Sequence, residues 1–161
     1  MDDTESRGDT VGRAPGESAK QRVDRELAEL LDETRVMLPG VEILLGFLII
    51  LPFSGGTEIT GFERALYLAS LLSASGGLAL LVTPTIYHRM HFREVDKERL
   101  IFLANRLFIA ASALIALAIG LAVYLVVQTL LGGVLAGLIA GANAALIAGL
   151  WFVLPLLRGG R

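Results

Sequence analysis

Residues 104–127 read ANRLFIAASALIALAIGLAVYLVV, with one charge near the entrance, Arg106, and none after it. A hydrocarbon core about 30 Å thick takes about 20 apolar helical residues to cross, so this run predicts a transmembrane helix. It opens a longer silence, because residues 107–157, 51 consecutive positions, hold no charge. A soluble core built from a 161-residue chain could hardly hide such a stretch. Composition agrees: 54% of residues are hydrophobic and 19% charged, against roughly 45–50% and about 25% in ordinary soluble domains. A soluble enzyme is set aside on these grounds.

Three further runs approach the same length. Residues 38–54 (LPGVEILLGFLIILPFS) are short and contain Glu42; residues 63–83 (ERALYLASLLSASGGLALLVT) carry no charge from Ala65 onward. Residues 132–157 form the longest run, with Pro155 late in it. Only residues 128–131 separate the last two spans, which makes them an antiparallel hairpin. Ahead of the spans, residues 1–17 are polar and without period, the signature of a disordered tail. Ser18 with Gln21 fits a capping box. Val23, Leu27, Leu30, Leu31 and Met37 then recur near helical spacing, and Arg22–Glu26 and Arg25–Glu29 stand four apart on the other side. Residues 18–37 are thus expected to form an amphipathic helix on the cytoplasmic side, which the Pro39-Gly40 step interrupts or kinks. The expected fold is all-α: an integral membrane four-helix bundle over residues 38–157, preceded by that helix and followed by a short C-terminus, 158–161.

Charge sets the orientation. Of the 14 Lys and Arg residues, thirteen lie in the N-terminal segment, in the connection running into the third span, and at the C-terminus; Arg64 alone falls on the other side. Cytoplasmic flanks are enriched in Lys and Arg, so both termini are expected in the cytoplasm of a multi-pass cell-membrane protein. Net charge is −2, too balanced to argue for nucleic acid, and the absence of cysteine removes thiol chemistry and thiolate metal sites.

Small residues dominate the fourth span. Gly133, Gly137, Gly141, Ala145 and Gly149 recur every four residues beside a second row, Gly132, Ala136, Ala140, Ala144 and Ala148. Lipid is as apolar as leucine, so membrane helices associate through close packing, which small residues permit. The stripe fits packing within the bundle or a homo-oligomer seam, and Asn143 in its middle could hydrogen-bond across a helix pair. Ala69, Ser73 and Gly77 in the second span, and Ala116 and Gly120 in the third, offer complementary small faces. Glu42 is the only acid inside an apolar run, and such groups are functional candidates. Pairing with Arg106 would fix helix register; proton or cation coupling, with Asn105 and Asn143 as polar lining, and interfacial snorkelling are the alternatives. His88 and His91 share a helix face. However, a divalent metal needs at least three convergent ligands and Arg89 and Arg93 would repel it, so no metal is expected. That segment reads as a juxtamembrane stretch meeting anionic lipid heads. No phosphate-binding glycine loop, HExxH or GxSxG occurs, and neither a cofactor nor an enzymatic activity is expected.

The runs ELLDETRVMLPGVEILLGFLIILPF, GFERALYL, TPTIYHRMHFR, DKERL and ANRL together resemble small, mainly actinobacterial, four-span membrane proteins of unknown function. The matching positions are Arg35, Phe62, Arg64, Pro84, Thr85, Tyr87, His88, Arg89, Asp96, Lys97, Asn105 and Arg106. The resemblance implies architecture and no activity. Small multidrug-resistance transporters also have four spans and a first-span Glu. The chain departs from them in its long N-terminal helix, its long 84–103 connection and its charge asymmetry. The expected role is a non-enzymatic scaffold whose N-terminal helix meets a protein partner; the alternative is a small transporter or channel-like oligomer using Glu42.

Overall fold

The computed structural model describes residues 18–54, 60–90 and 97–158. Among these, α1 spans Ala19–Ile50, α2 Gly61–Met90, α3 Lys97–Leu131 and α4 Gly133–Ala148; a π-helical turn, Gly149–Val153, leads into α5, Leu154–Arg158. No strand occurs among the described residues. Four helices are long and apolar enough to cross a membrane: Gln21–Phe53, Gly61–Met90, Arg99–Leu131 and Gly133–Arg158.

The helix starts follow local chemistry. Ser18 and Gln21 cap α1 reciprocally, as the spacing predicts. Thr60 and Glu63 do the same for α2, at 2.8 and 3.3 Å, satisfying donors that a helix start leaves free. Arg22–Glu26 and Arg25–Glu29 pair at 3.0 Å each, also as expected.

The Pro39-Gly40 step does not break the chain into two helices, because α1 continues through it. Proline removes one donor and frees the carbonyl four residues earlier, that of Arg35. Pro39 and Arg35 are both exposed, so that carbonyl lies outside the core and the rest of the helix holds. Among the described side chains of α1, Leu27, Thr34, Val41 and Leu48 are the buried ones, one every seventh position. A seven-residue repeat keeps one seam facing its neighbours along the whole length. Thr34 is tolerated in that seam because its hydroxyl donates to the Leu30 carbonyl at 2.9 Å.

The centre of the fold is the α2–α3 pair. Tyr67, Ser70, Ala74, Gly77, Leu81 and Pro84 line the buried side of α2. A β-carbon on Gly77 would stand 2.8 Å from Ile115 Cγ1 and 3.3 Å from the Ala111 carbonyl oxygen. Only glycine allows this approach. The Ser70 hydroxyl donates to the Ala118 carbonyl at 2.9 Å, and Tyr67 donates to the Leu48 carbonyl of α1 at 2.6 Å. The expected row of Ala69, Ser73 and Gly77 is therefore displaced: Ala69 is exposed, and Ser70 and Ala74 take the seam.

Gly132 alone turns α3 into α4, with φ +88° and ψ 171°, a region essentially restricted to glycine. Beyond the turn α4 packs on α3 and, among the described residues, on neither α1 nor α2. Ala136 and Ala140 are the buried positions. The first row behaves differently, since a β-carbon on Gly137, Gly141 or Gly149 would meet nothing within 4 Å, and one on Gly133 only the Gln128 amide. Ala145 is exposed. Of the two rows, the second supplies the buried positions, Ala136 and Ala140, while Gly132, Ala144 and Ala148 are exposed, and the first row supplies no buried position.

Candidate functional site

Val41 of α1 packs in one cluster with Leu81 of α2 and Ala111 and Ile115 of α3. From that layer, the first basic residues toward one end are Arg35, Arg106 and the His88-Arg89 pair, five to eight residues away. A helix rises about 1.5 Å per residue, so they stand about 8–12 Å from the layer. In the other direction Arg64 is 17 residues from Leu81, about 26 Å along the helix. Among the described residues this leaves an uncharged belt about 35 Å tall, interrupted only by Glu42.

Glu42 sits beside Val41 and is exposed on α1. Arg106 is exposed on α3, its guanidinium 5.6 Å from the centroid of the Phe102 ring. The two are not brought together. Among the described residues, ion pairs join Arg22 to Glu26, Arg25 to Glu29 and Arg35 to Asp32, all within α1, and none reaches Glu42. Asn105 is exposed on α3, away from the core. Asn143 is half-buried on α4, and its Oδ1 is buried without a hydrogen-bond partner; Gln128 Oε1, beside Gly133, shares that condition. The four expected residues, Glu42, Asn105, Arg106 and Asn143, do not converge on one lining.

At the charged end, His88 is half-buried and Arg89 exposed in the last turn of α2. His91 lies outside the described residues. Among the described residues no group of three or more His, Asp or Glu side chains is placed to hold a metal. A groove of about 560 Å³ opens there between α1 and α3, with Glu29, Asp32 and Glu33 on its rim and Val36, Met37 and Phe108 as its apolar part. A second groove of about 420 Å³ lies between α2, α3 and α4 and is almost wholly apolar, lined by Leu66, Gly120, Tyr124 and Gly141 among others.

The charged α1 face, the belt and the glycine turn all fall within a single matched region. The chain belongs to a family of unknown function, DUF6328, whose model matches residues 16–155. No curated protein and no solved structure matches it. Membership therefore covers α1 through most of the last span and brings no activity with it.

The sequence missed Tyr67 and Ser70 as inter-helix donors. The available signal was the 3–4 spacing of Tyr67, Ser70, Ala74 and Gly77. Gln128 was also missed, and nothing in the sequence distinguishes it from an ordinary loop residue.

Proposed function

We propose that this family member is a non-enzymatic scaffold of the cell membrane, with both termini cytoplasmic, whose α1 presents a charged face to a protein partner. The observation that carries this is helix length. α1, α2 and α3 have 32, 30 and 35 residues, about 45–53 Å each against a hydrocarbon core of about 30 Å. The excess of α1 and α3 falls at the end that carries Arg22 to Arg35 and Arg99, where α2 ends one residue past Arg89. With thirteen of 14 basic residues on that side by sequence, the positive-inside rule makes it cytoplasmic. Leu27 and Leu100 are buried in this excess, so it is a packed extension and not frayed ends. Its outer surface holds the Arg22–Glu26 and Arg25–Glu29 pairs and the acidic rim at Glu29, Asp32 and Glu33.

Transport through a single copy is the weaker reading. Glu42, Asn105 and Arg106 face outward on two different helices, and both grooves open at the surface.

The test is charge reversal, Glu29→Lys with Asp32→Lys and Glu33→Lys, in the full chain. Photo-crosslinking in the cell is expected to lose the partner band seen with wild type while the unfolding midpoint in detergent stays unchanged. An undiminished band would overturn the assignment of this face.

A further inference from the structure

α1 carries two heptad stripes. The inward one, Leu27, Thr34, Val41 and Leu48, is buried in the bundle. A second, Arg35, Pro39, Glu42, Gly46 and Ile49, repeats at alternating four- and three-residue steps, the spacing of a helix–helix seam. Its members are exposed, except that Gly46 is half-buried, and a β-carbon on Gly46 would meet nothing within 4 Å. Glu42 stands at the middle of this seam. Its short side chain cannot return the carboxyl across seven residues of helix, about 10 Å, to the level of Arg35. It has neither a hydrogen bond nor an ion pair to any described residue.

We infer that a second copy of this chain covers this face, α1 against α1 about a two-fold axis along the membrane normal, with the two Glu42 side chains hydrogen-bonded across the seam. This rests on the membrane placement proposed above. A two-fold axis puts the same residue at the same depth in both copies and makes the contact self-complementary. One carboxylic O–H then donates to the carbonyl oxygen of the other. Pairing with a basic residue of the second copy is disfavoured by depth. The side chains of α2 and α3 in the Val41 layer, Leu78, Leu81, Ala111 and Ile115, are apolar, and Arg35 and Arg106 lie more than a turn toward the charged end. The bare backbone at Gly46 permits close approach one turn beyond the carboxyls. A single polar residue in an otherwise apolar seam is a device that fixes register and copy number.

The described chain has no cysteine, so single cysteines report contacts cleanly. The full protein is reconstituted in phosphatidylcholine–phosphatidylglycerol vesicles, and association is read by energy transfer over a lipid dilution series. Glu42→Gln, which keeps donor and acceptor, is expected to associate within about two-fold of wild type. Glu42→Leu is expected to weaken association about ten-fold, within the range that model membrane peptides show for one strongly polar inter-helix contact in lipid. With copper–phenanthroline added as the oxidant, Ile49→Cys is expected to form disulfide-linked dimers, and Leu138→Cys on the exposed face of α4 is not. Equal association of Glu42→Leu and wild type would overturn the seam. So would a protein that stays monomeric at every dilution, or dimers through Leu138→Cys without Ile49→Cys. Protein released from vesicles by alkaline carbonate would overturn the membrane placement as well, whereas inserted monomers would overturn the seam alone.

Discussion

Gly77 and Gly137 are the same residue, each in the middle of an apolar helix among other small residues, and they do opposite things. Gly77 lets α2 approach until the Ala111 carbonyl oxygen and Ile115 fill the space of its missing side chain. A β-carbon on Gly137 would meet nothing within 4 Å among the described residues. The difference lies in the partner and not in the helix. α2 is held by α1 and α3 through Tyr67 and Ser70, whereas α4, among the described residues, packs on α3 alone of the three long helices, with Ala136 and Ala140 buried. A small-residue repeat therefore establishes that close approach is allowed, and only the three-dimensional arrangement says where it occurs.

That contrast can be broken by mutation. Gly77→Val should be the most damaging change, lowering unfolding free energy in detergent by about 3 kcal/mol through overpacking against Ile115 and the Ala111 carbonyl. Gly137→Val should lie within about 0.5 kcal/mol of wild type in the same denaturation series. If the two are equally destabilising, the outward placement of the α4 row is wrong. Gly132→Ala comes next, at about 1–3 kcal/mol, because its φ of +88° is a strained conformation for any residue with a side chain. Tyr67→Phe should cost about 1 kcal/mol by removing the bond to the Leu48 carbonyl while keeping the ring. Ser70→Ala is the smallest loss expected at a packed position, about 0.6 kcal/mol, the average for an inter-helix hydrogen bond measured within a membrane.

Much of the architecture was legible from the residues. Four apolar runs became four helices long enough to span a membrane, the Ser18–Gln21 box caps α1, and the expected Arg–Glu pairs form. Three things were not legible, each for a physical reason. Proline at position 39 suggested a boundary, but a long helix loses only one hydrogen bond there, and the carbonyl it frees lies on an exposed face. The packing row of α4 could not be chosen, because a helix apolar all round has no polar side to mark the outside. Glu42 and Arg106 looked like partners because both lie near the entrance of a span. Sequence position along a span does not report the direction around it, and the two residues point out from different helices. The candidate site is correspondingly less legible than the fold: the charged α1 face was expected, while the groove at Glu29, Asp32 and Glu33 required the position of Phe108 on α3.

All of these assignments rest on the belt between Arg64 and the Arg35–Arg106 layer being the membrane, with the charged extension inside the cell. Single cysteines in this cysteine-free chain test it directly, using a membrane-impermeant maleimide on intact cells and then on permeabilised ones. Phe62→Cys should label in intact cells, Glu29→Cys only after permeabilisation, and Ile43→Cys in neither condition. Labelling of Glu29→Cys in intact cells, or ready labelling of Ile43→Cys, would contradict the account.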